Sequence, residues 1–310
     1  MNAVCNKDHP SSAMIVPTRG GSAGIDAEVL LKRWGGQSWL PDELIIVRGA
    51  SNPAAARNVG AASTPADILI FVDDDARPFN DHTIESIVGA LIYDEMVWLS
   101  GAAIQLPPDS SRFRKAYARQ IPRNKLDIPL DTTESNFATT LCCAVRRVHF
   151  NSLKGFDERL VAGEDPEFRD RLRRAGGRIV LAGGAGVLHS PPDMLGALWR
   201  RGNWYGRGEA QVARLFRGER WRRETKSKSL SYILIKAILS PTCLVLNWES
   251  LRIGKIRLDF QPLRLVHIWA VTVGYITGRF LTGGNIVSEG TAVVEKLKIS
   301  PVCNPKSKRQ

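Results

Sequence analysis

Cysteine is scarce and unpatterned in this sequence. The five cysteines contain no Cys-x-x-Cys pair and no even set, so neither a zinc site nor a disulfide framework is indicated, and a reducing compartment fits best. The opening residues, MNAVCNKDHPSS, lack the basic start and the apolar run of a secretory signal. We therefore expect the chain to act in the cytoplasm.

Long apolar runs are also missing. The most apolar stretches are Tyr232 to Trp248, which Lys236 and Pro241 interrupt, and Leu265 to Gly278. The second is shorter than the ~20 residues that a bilayer crossing needs. Both follow a basic segment, residues 200–228, with ten Lys or Arg against three Glu. This order predicts interfacial helices at an anionic inner leaflet, with an ordinary helical subdomain and a solvated charged face as the alternative.

Acidic residues are fewer than basic residues. The 43 Lys and Arg against 31 Asp and Glu leave a net charge of +12, which indicates an anionic partner such as a nucleotide, a phospholipid or a nucleic acid. Hydrophobic residues make up 44% of the 310, enough to bury a full core. One large domain with an appendage is the natural expectation.

Short apolar runs alternate with helical patterns through about Leu215, which predicts an α/β domain with a mainly parallel sheet. Predicted strands are Ala13 to Val16, Glu43 to Val47, Asp67 to Val72, Val97 to Ile104, Phe137 to Val145 and Arg178 to His189. Asn52 and Pro53 predict the start of one helix, and Asp165 and Pro166 the start of another that stops at Gly176. We divide the chain into a domain of residues 1–215 and a helical, basic and apolar segment of residues 216–310.

Three adjacent carboxylates end the third predicted strand. Asp73, Asp74 and Asp75 follow Phe71 and Val72 in FVDDDARP. Because side chains alternate along an extended chain, Asp73 and Asp75 face one side and could hold a hard cation with its ligand. The carboxyl end of a strand in an open α/β sheet is where such folds bind ligands. An acidic turn that caps the next helix is the alternative.

Two further elements carry candidate chemistry. Glu164 and Asp165 precede a helix, where Asp165 could serve as the N-cap, as a rigidly positioned proton acceptor, or as both. His189 closes a Gly-rich strand ahead of two prolines, so it is either a structural histidine or a third metal ligand through a neutral ring nitrogen. The sequence leaves both choices open.

An ordered set of motifs carries a resemblance to a known family. The set runs through Val16-Pro17-Thr18, Gly49-Ala50-Ser51, Ala56-Arg57-Asn58, Asp73-x-Asp75 and Gly155-Phe156-Asp157-Glu158 to Glu164-Asp165. In this order, over about the first 215 residues, the chain resembles the inverting glycosyltransferases of family 2. The resemblance implies a GT-A (Rossmann-like) fold, here with a C-terminal helical extension.

The resemblance also implies roles for individual residues. Asp165 would be the general base, with Glu164 positioning it or the acceptor, while Asp73, Asp75 and His189 would hold Mg²⁺ or Mn²⁺ on the donor diphosphate. The nucleotide pocket would comprise Pro17, Thr18, Arg19, Ser51, Arg57, Asn58, Asp73 and Asp74. Arg200, Arg201, Trp204 and Tyr205 would lie near the acceptor or the diphosphate, although a packing face with a solvated edge explains them equally well.

The sequence thus predicts sugar transfer from a nucleotide diphosphate donor to a lipid-linked or polysaccharide acceptor, by a protein attached peripherally to the inner face of the cell membrane, with no nucleic-acid partner. Arg48 stands where many family members carry an Asp that reads the base, so the base is not indicated. A metal-dependent nucleotidyltransferase is one alternative, but it would leave Glu164, Asp165 and His189 without a role. A glycosidase ranks low, and a nonenzymatic basic protein that binds membrane or nucleic acid would not require this carboxylate set.

Overall fold

The structure, a computed structural model, describes residues 9–18, 24–121, 127–216, 230–245, 258–281 and 291–299. Its strands are β1 (Ser12–Thr18), β2 (Glu43–Arg48), β3 (Ile68–Val72), β4 (Arg77–Pro78), β5 (Val97–Gln105), β6 (Thr133–Glu134), β7 (Cys142–Arg146), β8 (Arg178–Leu188) and β9 (Val293–Lys298). Its α-helices are α1 (Ala27–Trp34), α2 (Pro53–Ala62), α3 (Thr83–Tyr93), α4 (Arg112–Gln120), α5 (Arg147–Ser152), α6 (Glu164–Arg174), α7 (Leu195–Leu215), α8 (Leu230–Ile238) and α9 (Pro262–Ile276).

The described strands form one mixed sheet in the order β4-β8-β5-β7-β3-β1-β2-β9, with β6 beside β8. The pairs β1–β2, β1–β3 and β5–β8 are parallel. The other five pairs in the described chain are antiparallel. The predicted α/β class, with a mixed sheet flanked by helices, is confirmed. The longer strands β1, β2, β3, β5 and β8 run in one direction, and β7 lies between β3 and β5 and runs against both.

The core lies on both faces of the sheet. Ile68, Ile70 and Val72 of β3 pack into one apolar layer, while Leu69 and Phe71 pack into the other, and all five are fully buried. Double-sided burial explains why these central strands read as continuous apolar runs in the sequence. It also leaves the strand ends as the place where polar side chains reach solvent.

Five of the six predicted strands are confirmed to within two residues at each end. The sixth, predicted from Phe137 to Val145, is wrong in its first half, since β7 begins only at Cys142. The residues before it form a turn in which the Cys142 amide donates to the Thr139 carbonyl at 3.2 Å. Arg169 donates to the Ala138 carbonyl at 2.8 Å and holds this turn against α6.

Two predicted helix starts have different outcomes. The Asn52 side chain accepts from the Ala55 amide at 2.8 Å, so its role as N-cap of α2 is confirmed. The predicted N-cap at Asp165 is wrong, because α6 begins one residue earlier, at Glu164. Gly163 precedes it with a φ of 96°, a left-handed conformation that favours glycine. Asp165 therefore lies in the first turn, where its carboxylate is turned away from the helix.

Helices α7 and α9 run in the same direction and cross at very short range. A Cβ on Gly206 would overlap the Val271 carbonyl oxygen and lie 2.7 Å from the Tyr275 amide nitrogen. A Cβ on Gly274 would overlap the Asn203 carbonyl oxygen in the same way. The two backbones therefore touch, and this contact fixes the C-terminal helices to the helix that forms one wall of the cleft described below.

The segment after residue 215 is only partly helical. Strand β9 pairs antiparallel with β2 along its whole length, from Glu43 opposite Lys298 to Arg48 opposite Val293. Describing residues 216–310 as a helical segment is therefore wrong for β9, which extends the sheet of the first domain. None of the described helices combines the length and the hydropathy that a membrane crossing requires.

Candidate active site

A cleft of about 1550 Å³ opens where β1, β2, β3 and β8 end. The antiparallel β7 separates two groups of strands that run in one direction, so these four carboxyl ends meet at the same edge of the sheet. The first turn of α6 and one face of α7 complete the walls. The topology thereby places side chains from parts of the chain that are far apart in sequence around one cavity.

The three adjacent aspartates have three different partners. Asp73 Oδ1 lies 2.7 Å from Arg57 Nη2, and Asp74 Oδ2 accepts from the Thr18 hydroxyl at 2.7 Å. Asp75 Oδ2 lies 3.4 Å from His189 Nε2. Each carboxylate thus has a separate environment, although the three are consecutive in the sequence.

Asp75 is the most exposed of the three aspartates, and the side chain beside it, His189, is buried. The Asp75 side chain is 59% exposed, whereas that of His189 is 7% exposed. Partial burial opposes ionisation of Asp75, but the hydrogen bond and charge of His189, and then the charge of Arg201, hold its pKa below the usual value. A carboxylate and an imidazole therefore meet at the mouth of the cleft with the carboxylate ionised.

Asp73 and Glu164 share one buried cation. Arg57, 3% exposed, reaches Asp73 with Nη2 and Glu164 Oε1 with Nη1 at 2.9 Å. Burial raises the pKa of Asp73, and Arg57 offsets only part of this effect. Burial and then the neighbouring Asp165 charge raise the pKa of Glu164 to about 7. Despite its own burial, the Arg57 guanidinium has a raised pKa because of these charges, so it stays protonated.

Asp165 faces the cleft with one oxygen unengaged. Its Oδ2 accepts from the Thr140 amide at 3.2 Å. Its Oδ1 is buried and has no hydrogen-bond partner among the described residues. A buried acceptor without a donor is uncommon in folded proteins and is found where a ligand or a proton is handled.

The basic and aromatic side chains of α7 line the opposite wall. Arg201 Nε lies 3.4 Å from the Tyr205 hydroxyl, and its guanidinium carbon lies 5.9 Å from the centre of the Tyr205 ring. Arg200 and Trp204 are both exposed and line the cleft as well. Burial lowers the pKa of Arg201, but its neighbours more than offset this effect. The pKa is raised by Tyr205, Tyr117 and Asp75.

Most of the predicted site residues line this one cleft. They are Pro17, Thr18, Arg57, Asp73, Asp74, Asp75, Glu164, Asp165, His189, Arg200, Arg201, Trp204 and Tyr205. Ser51 and Asn58 are not among the lining residues, and Arg19 lies outside the described ranges. The Asn58 side chain instead donates to the Phe156 carbonyl and accepts from the Phe156 amide, each at 2.9 Å, so it holds a loop.

Other lining residues were missed by the sequence analysis. Arg114 of α4 lies 3.6 Å from Asp193, and both line the cleft together with Asn136 and Arg169. None of these residues belongs to the motifs that carry the family resemblance. Arg114 stands in a helix that is otherwise unremarkable in sequence, and Asn136 lies just before the segment predicted as a strand from Phe137 to Val145.

One of the three predicted metal ligands, Asp73, has another partner. Within the part of the chain that the structure describes, no three His, Cys, Asp or Glu side chains gather as a metal-holding group. Asp75 and His189 are adjacent, but the nearer oxygen of Asp73 is in the ion pair with Arg57. Asp75 and His189 are thus the carboxylate and imidazole that could hold a divalent cation together with an anionic ligand.

Comparison with known proteins assigns the central region. A model of glycosyl transferase family 2 matches residues 30–153. The chain is 25% identical over 167 residues to a pre-mycofactocin glycosyltransferase of Mycobacterium tuberculosis, a match covering 53% of this chain and 35% of the relative. It is 26% identical over 147 residues to the O-antigen chain rhamnosyltransferase RfbN of Salmonella typhimurium, covering 45% and 46%. The aligned parts thus span less than half of each relative.

A solved structure shows the fold. The mannosyltransferase PcManGT of Pyrobaculum calidifontis, in complex with GDP-Man and Mn²⁺, superposes with a TM-score of 0.56 at 14% identity over 88% of each chain. The predicted GT-A fold is therefore confirmed, and the match of residues 30–153 to the family 2 model confirms the resemblance to that family. The individual site residues remain predictions.

Proposed function

We propose that this chain, which contains a family 2 glycosyltransferase core over residues 30–153, transfers a sugar from a nucleoside diphosphate donor to an acceptor hydroxyl with inversion at the anomeric carbon. One observation carries the proposal. Asp165, whose buried Oδ1 has no partner among the described residues, lines the same cleft as the Asp75–His189 pair. A proton acceptor and a cation-binding pair are the two parts that such a displacement requires.

In the proposed reaction the acceptor oxygen bonds to the anomeric carbon as the bond from that carbon to the diphosphate oxygen breaks. Asp165 Oδ1 takes the hydroxyl proton, and the nucleoside diphosphate leaves with the bonding electron pair. The Thr140 amide holds the other oxygen of Asp165 and so fixes the direction of the carboxylate. A single displacement of this kind inverts the configuration. Glu164 would position Asp165 rather than accept the proton, because it is already paired with Arg57.

The residues at the mouth of the cleft fit a divalent cation. Asp75 supplies an ionised carboxylate and His189 a ring nitrogen, a donor set that suits Mn²⁺ and, with diphosphate oxygens, also Mg²⁺. When bound, the cation would offset the negative charge that develops on the leaving diphosphate. The presence of Mn²⁺ and GDP-Man in the Pyrobaculum mannosyltransferase supports this part of the proposal.

Removing the Asp75 carboxylate should remove the metal dependence of donor binding. We expect Asp75→Ala to lower the affinity for the preferred nucleoside diphosphate in Mn²⁺ by at least about tenfold, towards the value without metal. Calorimetric titration with a panel of nucleoside diphosphates, with and without Mn²⁺, measures this. His82→Ala is the control, since His82 is exposed and bonds to Ser38 and Glu85 outside the cleft. An unchanged Mn²⁺ effect in Asp75→Ala would rule out Asp75 as a ligand.

For the acceptor we propose a glycan or lipid-linked molecule, held by the α7 wall. Trp204 offers an exposed ring and Arg200 an exposed cation on the side of the cleft opposite the nucleotide-facing strands. Aromatic faces pack against sugar rings, and guanidinium groups bind phosphates. Nucleic acid is not part of the proposal, because the basic and aromatic groups lie inside a cleft rather than along an open surface.

We also propose that the C-terminal helices rest on the inner face of the cell membrane from the cytoplasmic side. Helix α8 leaves Tyr232, Ile235 and Ile238 exposed, at 46%, 56% and 72% of their surface. In the sequence, six Lys or Arg against two Glu in residues 217–229 stand directly before this helix. Apolar side chains beside a cationic segment favour an anionic bilayer as the occupant of this surface.

Introducing charge on α8 tests this attachment. We expect Ile235→Glu combined with Ile238→Glu to reduce the fraction of protein that floats with phosphatidylglycerol-containing vesicles by at least about tenfold, because each buried isoleucine contributes roughly 1.5–3 kcal/mol. Tyr93→Glu is the matched control, since Tyr93 is 91% exposed at the end of α3. Wild-type protein that fails to float, or a double variant that floats equally well, would contradict the proposed surface.

A further inference from the structure

Arg57 connects the two acidic motifs of the cleft. Asp73 ends β3 and Glu164 begins α6, so these carboxylates come from distant parts of the chain. The two terminal nitrogens of Arg57 contact them at 2.7 and 2.9 Å. The guanidinium carbon also lies 5.9 Å from the centre of the Phe156 ring. One side chain of α2 therefore ties a strand end to a helix start.

Only arginine can make this connection. Its guanidinium is planar and presents several N–H donors in a fixed geometry, so each of the two terminal nitrogens can bind one carboxylate at the same time. A lysine at this position would keep the positive charge but would concentrate it on one atom. The Arg57 side chain is 4% exposed, and that of Glu164 is 10% exposed, so water would replace the lost contact poorly.

The connection bears on the residue next to Glu164. Asp165 follows Glu164 in the first turn of α6, and its only described hydrogen bond is the one from Thr140. Fixing Glu164 therefore fixes the turn that aims Asp165 into the cleft. The same guanidinium holds Asp73 Oδ1 at 2.7 Å and partly offsets the negative charges of the neighbouring carboxylates. Without Arg57, Asp73, Glu164 and Asp165 would repel one another in a largely buried space.

We infer that Arg57 is a positioning residue, which acts through Glu164 to orient the catalytic Asp165 and through Asp73 to set the shape of the acidic strand end, rather than a ligand of the donor. The inference rests on the proposed function, because it assigns Asp165 the role of base. It differs from the expectation drawn from sequence, in which Arg57 binds the nucleotide. The two roles predict different kinetics.

The test is the conservative variant Arg57→Lys, compared in turnover and in binding. A misdirected base should lower kcat by about 10²-fold, since a displacement of 1 Å at a reacting group can have that effect. The affinity for the nucleoside diphosphate in Mn²⁺, measured by calorimetry, should change less than about threefold. A direct donor ligand would show the opposite pattern, with affinity lost and kcat nearly kept, and that pattern would overturn the inference.

Two further measurements separate positioning from simple loss of structure. Arg171→Lys is the matched control, since Arg171 also pairs with a buried glutamate, Glu167 at 2.5 Å, but does not line the cleft. We expect it to keep kcat. The double variant Arg57→Lys with Glu164→Gln should lose no more kcat than the larger single loss, because the two side chains act as one unit. Additive losses would overturn the inference.

Failure of the proposed function can be told apart from failure of this inference. If wild-type protein binds a nucleoside diphosphate with Mn²⁺ but transfers no sugar to any acceptor tried, a thermal double-mutant cycle on Arg57 and Glu164 still measures their coupling. If the wild type transfers sugar and Arg57→Lys is equally active, the inference alone is wrong. If Arg57→Lys also has the thermal unfolding midpoint of the wild type, then the paired contact of Arg57 with Asp73 and Glu164 is needed neither for folding nor for catalysis.

Discussion

Asp165→Asn should lower kcat by about 10³- to 10⁴-fold while leaving nucleoside diphosphate binding within about twofold of the wild-type value. Asparagine keeps the shape of the side chain and can still accept a hydrogen bond from the Thr140 amide. It cannot take a proton at the position of Oδ1, the atom that has no partner among the described residues. The measurement is a donor-saturated turnover assay, paired with calorimetry on the same protein.

Asp170→Asn is the matched control for this experiment. Asp170 lies in the same helix and is 8% exposed, but its carboxylate pairs with Arg174 at 2.8 Å and does not line the cleft. We expect near wild-type turnover from it. If Asp165→Asn keeps more than about a tenth of the wild-type kcat, another group accepts the proton, and Asp165 is not the base.

Gly206→Ala should lower the free energy of unfolding by about 2 kcal/mol, the middle of the range for overpacked sites. The added Cβ would overlap the Val271 carbonyl oxygen and approach the Tyr275 amide nitrogen, both of which are backbone atoms that no rotamer change can move. Helices α7 and α9 would have to separate. Thermal unfolding followed by circular dichroism measures the effect, and for a chain of this length we expect a midpoint lower by about 3 °C.

The same helix contains a control of opposite sign. Gly196 is the second residue of α7, and a Cβ there would lie 3.5 Å from one flexible atom, the Arg200 guanidinium nitrogen, with no other heavy atom within 4 Å. Because alanine has a higher helix propensity, we expect Gly196→Ala to stabilise the protein by roughly 0.5–1 kcal/mol. If both variants destabilise equally, the short crossing of α7 and α9 is not the cause.

The positions of the strand ends could be predicted from sequence, but the partners of the side chains at those ends could not. An apolar run that stops at Asp73 is a local signal, and β3 ends where that signal predicts. Which carboxylate meets His189 and which meets Arg57 depends on contacts between residues far apart in the chain. Local patterns cannot assign three adjacent, identical side chains to three different partners.

The error at Asp165 has a similar cause. An Asp before a Pro is a strong N-cap pattern, and nothing nearby in the sequence argues against it. The left-handed backbone of Gly163 starts the helix one residue earlier, and the Thr140 amide from another loop takes the carboxylate. The structure contradicts the role of Asp165 as N-cap, because Gly163 holds that position. The role of Asp165 as proton acceptor stays a prediction.

Strand β9 was missed because its pattern is weak. Its six residues begin with two exposed valines, and the other four are charged except for Leu297. Their pairing with β2 is supported by Arg48 with Glu295 and by Lys296 with Glu43, each at 3.0 Å. Such edge contacts arise only once the partner strand is in place. The ion pair with Glu295 also gives Arg48, the departure from the family pattern, a partner within the described protein.

The pairing of β9 with β2 has a consequence for synthesis. Because the ribosome makes the chain from its N-terminus, the backbone N–H and C=O groups on the outer edge of β2 stay unpaired until residue 298 has emerged, about 250 residues after β2 itself. A bare strand edge can pair with a neighbouring chain, so the nascent protein would be exposed to aggregation over that interval. The last described strand would end that interval.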